Sequence, residues 1–200
     1  MSEPAATPPT AWLTVGPFFP RSLIEPACSD LTRTGRRKAR GTPILLAGRV
    51  LDRGAQPVRN AVVEIWQPDA EGLFAHSADP RSAEADPNFV GWGRSATGPD
   101  GWYRFRTVMP GRRSDNAAGT RLPHINVMLL ASGIMRRLTT TLFFTDDPDS
   151  EDPVLSSVPS VELRRRLLAR RATELDDEGT QAYRFDVVTQ GDGETPFFLD

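Results

Sequence analysis

The sequence predicts an all-β fold of the antiparallel β-sandwich type. Three observations predict it. From residue 44 onward, apolar runs of strand length follow one another, and turn-forming pairs such as Asp100-Gly101 and Pro110-Gly111 separate them. Only one segment of the chain shows the apolar period of a helix. Many short strands without regular helices between them are typical of two packed antiparallel sheets.

The chain is predicted to begin with an extended arm. Residues 1–43 are rich in Pro, Ser, Thr and Arg and have no sustained apolar period, which favours an arm or long loop over a separate domain. Within the arm, residues 32–40 form a basic run that we interpret as a solvated loop, with a subunit or polyanion contact as the alternative. Residues 44–200 then form the sandwich domain.

The strands of the sandwich follow in order. The clearest is 102–108, in which Tyr103 and Phe105 lie on one face and Arg104 and Arg106 on the other. The remaining predicted strands are 44–50, 61–66, 124–130, 138–144 and 183–189, with 195–199 as a candidate for the last.

One helix is predicted near the carboxyl end. Ser160 can cap a run that continues through Arg171, with Glu162 placed early to complement the helix dipole. The apolar stripe is narrow, so we expect the helix to pack against the sandwich or a partner rather than a membrane. It consists of Leu163, Leu167 and Leu168.

Composition excludes several classes of function. A formal net charge of -2 gives no global reason to bind nucleic acid or an anionic membrane. No window approaches the roughly 18 apolar residues of a membrane span, and residues 1–9 do not resemble a signal peptide. The single cysteine, Cys28, cannot form an internal disulfide and is interpreted as a structural thiol. We therefore expect a soluble cytoplasmic protein.

The segment Pro123-His124-Ile125-Asn126 contains half of a metal-binding pair. Residues two apart in a strand share a face, so His-x-His would deliver two nitrogen ligands to one ion, whereas His-x-Asn delivers one. This pattern indicates the non-catalytic member of a metalloenzyme pair.

Several segments together resemble the intradiol ring-cleaving dioxygenases. They keep the order and spacing of that family from about residue 11 to the carboxyl terminus, and they are 48–52, 61–72, 86–89, 101–111, 123–126 and 182–186. Three further segments resemble the subunit that lacks iron in a two-subunit member of the family. These are 14–19, 116–119 and 191–198.

The resemblance implies a cofactor that this chain cannot hold. Iron-bearing members of the family bind one Fe(III) with two tyrosinates and two histidines. The corresponding positions here are Phe74, Arg113, His124 and Asn126, although the loop before Arg113 is about two residues shorter and the alignment there could shift. A phenyl ring cannot ligate and a guanidinium repels a cation. We therefore expect the Fe(III) to belong to a partner beta subunit and His124 to be structural.

The remaining histidine and the two tyrosines of the chain do not supply the missing iron ligands. His76 lies two residues past the lost tyrosine, and Tyr103 and Tyr183 fall on framework strand positions of the family.

The resemblance also implies a role beside the substrate of the partner. In the family, the arm of this subunit borders the aromatic substrate, which transfers a substrate-binding role to Thr14, Gly16, Pro17 and Phe18. No catalytic residue is assigned. Ser132 stands where an arginine is expected near the substrate carboxylate. Either Arg136 or Arg137 could compensate, and alternation does not decide between them.

Two alternatives stay open from the sequence. One is a stand-alone transthyretin-like sandwich that acts as a binding module, since Gly-x-Val-x-Asp followed by an Ala-Val-Val strand also occurs in such modules. The other is a divergent, self-sufficient dioxygenase that acts on another catechol. Metal analysis of the chain alone separates the last from the subunit hypothesis.

Overall fold

The computed structural model describes residues 24–115, 119–134, 136–175 and 179–198. The described helical segments are all short. They are two 3₁₀ turns, Pro26–Ser29 and Ser82–Glu84, and two helices, α1 (Pro153–Ser157) and α2 (Val161–Arg165). The strands are β1 (Arg33–Thr34), β2 (Arg37–Lys38), β3 (Pro43–Leu51), β4 (Val62–Trp66), β5 (Trp92–Ala96), β6 (Trp102–Val108), β7 (Arg113–Asp115), β8 (Gly119–Arg121), β9 (His124–Leu130), β10 (Leu138–Phe143), β11 (Arg170–Leu175), β12 (Gln181–Arg184) and β13 (Val187–Val188).

Two sheets form the sandwich, which confirms the predicted fold class. One is antiparallel, in the order β10-β9-β4-β5. In the other, β3 pairs antiparallel with β6 and parallel with β12 and β13. The second sheet is therefore mixed, a detail that the strand pattern alone does not predict. Among the described helices, none is long and apolar enough to cross a membrane.

The core lies between the two sheets. Along β3, residues alternate between buried and partly exposed, as the period of two requires. Leu46 and Val50 of this strand join Ile65 and Ile125 from the opposite sheet in one continuous apolar cluster. Burial of these side chains is the main favourable term that holds the two layers together.

β3 and the carboxyl-terminal strands make one very close contact. The Tyr103 hydroxyl donates a 2.5 Å hydrogen bond to the Phe185 carbonyl, which passes directly over Gly48. A Cβ at Gly48 would lie 1.7 Å from that oxygen. Glycine is therefore required here for close backbone approach.

The predicted helix 160–171 is shorter than expected. Ser160 does cap α2, accepting a hydrogen bond from the Leu163 N–H, but the helix ends at Arg165. Leu167 and Ala169 exchange backbone hydrogen bonds of 2.8 and 2.9 Å with Phe143 instead. The following residues form β11, because pairing with the sheet prevails over the local helical pattern. Leu167 is fully buried, but from the turn that follows α2, where its N–H bonds to the Arg164 carbonyl.

Other elements also differ from the sequence prediction. The basic run predicted as a loop contains an exposed two-strand hairpin, β1–β2. The predicted strand 183–189 is divided into β12 and β13, and 195–199 contributes only a bridge between Phe198 and Thr139. Leu31, which precedes the predicted domain boundary, is buried and donates a backbone hydrogen bond to Arg106.

Candidate functional site

A pocket of about 300 Å³ opens at the end of β4. Its walls come from Trp66, the last residue of that strand, from the loop that follows, and from Arg113 at the start of β7. Two of the four positions transferred from the family, Phe74 and Arg113, line it together. The complete described lining is Trp66, Phe74, His76, Ala78, Asp79 and Arg113.

Aromatic rings form one wall of this pocket. Phe74 stacks on Trp66 with ring centroids 5.6 Å apart and an interplanar angle of 8°. His76 meets the same indole edge-on, at 5.9 Å and 90°. This arrangement offers ring faces for contact with a planar ligand. At the Phe74 position it presents no donor atom to a metal.

An ion pair forms the opposite wall. The Arg113 guanidinium pairs with the Asp79 carboxylate and lies over the Phe74 ring, 5.4 Å from its centroid. The Asp79 side chain is only 3% exposed, and it also accepts hydrogen bonds from the Phe74 and Arg81 N–H groups at 3.1 and 3.0 Å. Arg113 thus supplies positive charge where the family pattern places an anionic ligand.

The surroundings of Asp79 keep it ionised. Burial disfavours the charge, but hydrogen bonds from the Arg81 backbone, the Arg113 side chain and the Phe74 backbone outweigh it, so the pKa of Asp79 lies below its ordinary value. The carboxylate is therefore committed to a guanidinium and two backbone donors.

His124, the first residue of β9, is buried and neutral. Its Nδ1 lies 2.6 Å from the Leu122 carbonyl oxygen. A carbonyl only accepts, so Nδ1 carries the proton and donates it. Burial and the nearby Arg121 charge lower the pKa of His124 to about 4. The positive charge of Arg113 acts in the same direction, which shows that His124 lies within electrostatic range of the pocket wall.

Asn126 is the residue that the sequence predicts in place of a second imidazole. It lies directly opposite Trp66 of β4 on one side and Thr141 of β10 on the other. Its Oδ1 accepts a 2.9 Å hydrogen bond from the Thr141 hydroxyl. The Asn126 amide is thus hydrogen-bonded within the sheet, on the strand next to β4, whose Trp66 forms part of the pocket wall.

The residues present do not fit a ferric ion. Within the described ranges, no group of three or more His, Cys, Asp or Glu side chains could hold a metal. The tyrosines do not compensate. Burial raises the pKa of Tyr103, whose hydroxyl is bonded to Phe185, and the ring of Tyr183 packs edge-on against Phe144. Neither tyrosine lines the pocket.

The other predicted site residues lie elsewhere. Thr14, Gly16, Pro17 and Phe18, to which substrate binding was assigned, lie outside the described residues. Ser132 is exposed in the turn between β9 and β10, and both Arg136 and Arg137, just after it, are exposed as well.

Sequence reasoning missed Asp79. Its signal was a lone carboxylate five residues after Phe74, and only the fold shows that this carboxylate meets Arg113. The indole of Trp66 was likewise not recognised as a pocket wall.

Comparisons with known proteins give a consistent result. A dioxygenase family model matches residues 15–191. The chain is 38% identical over 202 residues to the protocatechuate 3,4-dioxygenase alpha chain of Pseudomonas putida, covering 96% of both. It is 36% identical over 186 residues to the beta chain of the Burkholderia cepacia enzyme, covering 90% of this chain and 79% of the relative.

Solved structures share the fold. The catechol 1,2-dioxygenase structure from Acinetobacter sp. ADP1 aligns with a TM-score of 0.62 at 23% identity, covering 86% of this chain and 60% of that one. The hydroxyquinol 1,2-dioxygenase of Pseudomonas putida DLL-E4 aligns with a TM-score of 0.59 at 24% identity, covering 92% and 66%.

Proposed function

This chain belongs to the intradiol ring-cleaving dioxygenase family, and from that premise we propose that it is the alpha, non-iron-binding subunit of protocatechuate 3,4-dioxygenase. In this role it completes the active site of an iron-bearing beta subunit. The complex cleaves protocatechuate with O2 to 3-carboxy-cis,cis-muconate, as part of aromatic catabolism in the cytoplasm. The chain alone is inactive.

One observation carries the proposal. At the pocket where an iron-bearing member needs anionic oxygens, this chain presents the Phe74 ring and an Arg113 guanidinium already paired with Asp79. Hard oxygen donors suit Fe(III), whereas a fixed cation repels it. The neutral His124 is a single remaining donor and does not form a site by itself.

The comparisons support the alpha role without deciding it, because identity to alpha and beta chains is nearly equal. The alpha relative matches over 96% of its length, against 79% for the beta relative. The family match over residues 15–191 argues against a stand-alone transthyretin-like binding module.

Substrate contact is assigned to the segment that precedes the described residues. Gly16 allows close backbone approach, Pro17 fixes the turn, and the ring of Phe18 can form a wall beside an aromatic substrate. Thr14 belongs to the same segment. The contribution of this chain is to orient the substrate and to exclude water, while Fe(III) is supplied by the partner.

The test is reconstitution. The chain is expressed alone and together with a candidate beta chain, and iron content and protocatechuate-dependent oxygen uptake are measured. We expect no bound iron and no uptake for the chain alone, and both for the co-expressed complex. In the complex, Phe18→Ala should raise KM for protocatechuate more than it lowers kcat, because it removes a substrate wall. Stoichiometric iron with a tyrosinate charge-transfer band in the isolated chain would refute the proposal.

A further inference from the structure

A second pocket, about 400 Å³ in volume, is lined by four arginines. Arg165 and Arg166 come from the end of α2, Arg170 begins β11, and Arg184 ends β12. We call this the arginine pocket. It shares no described lining residue with the pocket at Phe74.

The arginines are only partly neutralised by the protein. Arg184 pairs with Asp186 at 2.9 Å, and Asp186 is the one carboxylate among the described lining residues. Arg166 donates a 3.0 Å hydrogen bond to the neutral Glu194 carbonyl, and no carboxylate in the described part of the chain forms an ion pair with it. Among the described residues, no carboxylate forms an ion pair with Arg165 or Arg170.

Two of these charges face each other across the sheet. Arg170 lies directly opposite Arg184 in the antiparallel pairing of β11 with β12. Like charges in directly opposed positions destabilise a strand pair. The exposed hairpin β1–β2 has a similar Arg33–Lys38 pair. Arg170 and Arg184 are exposed as well, but both line the same concave pocket.

The other opposed arginine pair in the described strands shows how this fold can neutralise such a contact. Arg113 and Arg121 face each other across β7 and β8, and each has its own buried carboxylate, Asp79 and Asp152. Those two carboxylates are 3% and 0% exposed. At the arginine pocket, Asp186 is the single carboxylate among the described lining residues; it pairs with Arg184, and its side chain is 30% exposed. The Glu162 carboxylate, outside the described lining, also attracts Arg165.

We infer that the arginine pocket binds a small polyanion that carries two or more carboxylate or phosphate groups. Guanidinium groups bind both kinds of anion through paired, charge-assisted hydrogen bonds. The volume is in the range of small-molecule sites. Arg184 already pairs with Asp186, so a ligand with two anionic groups would pair with Arg170 through one group and with Arg165 or Arg166 through the other.

Binding is tested with two probes, citrate and inorganic pyrophosphate, against acetate as a monoanion control at equal ionic strength. The full chain, together with whatever partner co-purifies with it, is titrated by calorimetry and by thermal unfolding. We expect saturable binding of at least one probe and a rise in Tm that acetate does not produce. Citrate alone would identify a carboxylate ligand, and pyrophosphate alone a phosphate ligand. Both outcomes support the site.

Substitutions distinguish binding at the arginine pocket from a general effect of the anion on surface charge. Arg165→Gln combined with Arg170→Gln should weaken binding of the probe at least tenfold, whereas the exposed Arg36→Gln should leave it unchanged. Arg170→Gln should also raise Tm without any anion, because it relieves the repulsion from Arg184. Absence of saturable binding up to millimolar probe, or an equal loss in the Arg36→Gln control, would overturn the inference.

Discussion

Removing the Arg113 guanidinium should destabilise the protein at neutral pH by about 2–3 kcal/mol. Breaking a buried ion pair costs about 3–5 kcal/mol when the remaining charge has no other partner. Asp79 keeps its two backbone hydrogen bonds from Phe74 and Arg81, and the pocket is open to water, so the expected loss falls at or just below the lower end of that range. The variant Arg113→Met keeps most of the contact with the Phe74 ring while deleting the charge.

The stability deficit of Arg113→Met depends on pH through the ionisation of Asp79. The folded-state pKa of Asp79 is lowered, so its contribution to stability is present above the unfolded pKa of about 3.9 and is lost as pH falls through the folded value. The deficit of Arg113→Met should therefore be largest near neutral pH and should shrink in acid, because the protonated Asp79 no longer needs a cation.

The assay is urea unfolding monitored by the fluorescence of the tryptophans, including Trp66 in the pocket wall. A double-mutant cycle with Asp79→Asn isolates the pair, and we expect a coupling free energy of roughly 1.5–3 kcal/mol. The neighbouring, exposed Arg112→Met serves as control and should change stability by less than about 0.5 kcal/mol. Equal effects of the two arginine variants, or a coupling near zero, would refute the assignment of Asp79 as the partner.

Three further predictions concern buried groups. Because the folded pKa of His124 is about 4 against 6.5 unfolded, its contribution is present above pH 6.5 and is lost as pH falls towards 4. When pH falls from above 6.5 to 4, His124→Gln should therefore lose less free energy of unfolding than the unmodified protein does, by up to roughly 3 kcal/mol. Urea unfolding at each of these two pH values measures the difference. Asn126→His alone should not bind ferric ion after dialysis, since Phe74 and Arg113 still withhold anionic oxygens, and tight binding would disprove the positional transfer. Tyr103→Phe leaves a buried carbonyl unpaired and should lower stability by about 1–3 kcal/mol, and an unchanged thermal midpoint would contradict this.

The strands were predictable wherever alternation is clean. The predicted strand 124–130 coincides with β9 and 102–108 with β6, because buried and more exposed residues alternate along each strand except at one end. β5 was missed because Gly93 stands at its buried second position, where an apolar residue would have marked a strand. That glycine is needed where the Leu31 side chain packs, 2.5 Å from the place of a Cβ.

The helix prediction failed for a different reason. Residues 163–168 have helical spacing, but the backbone of Leu167 and Ala169 satisfies Phe143 in the neighbouring sheet. Such long-range pairing is invisible in a local window. At the site, the family resemblance pointed to Phe74 and Arg113 as residues that withhold ligands, and the structure brings them into contact. It did not reveal Asp79, since a loop carboxylate carries no periodic signal.

The Arg113–Asp79 pair also makes the absence of metal ligands hard to reverse by single substitutions. Replacing Arg113 with a tyrosine leaves the buried Asp79 carboxylate without its cation, and replacing Asp79 first leaves the Arg113 guanidinium without its counter-ion. Both intermediates are less stable than either end point, and proteins have only a few kcal/mol to lose. An anionic oxygen at position 113 therefore requires Arg113 and Asp79 to change together rather than in successive single substitutions.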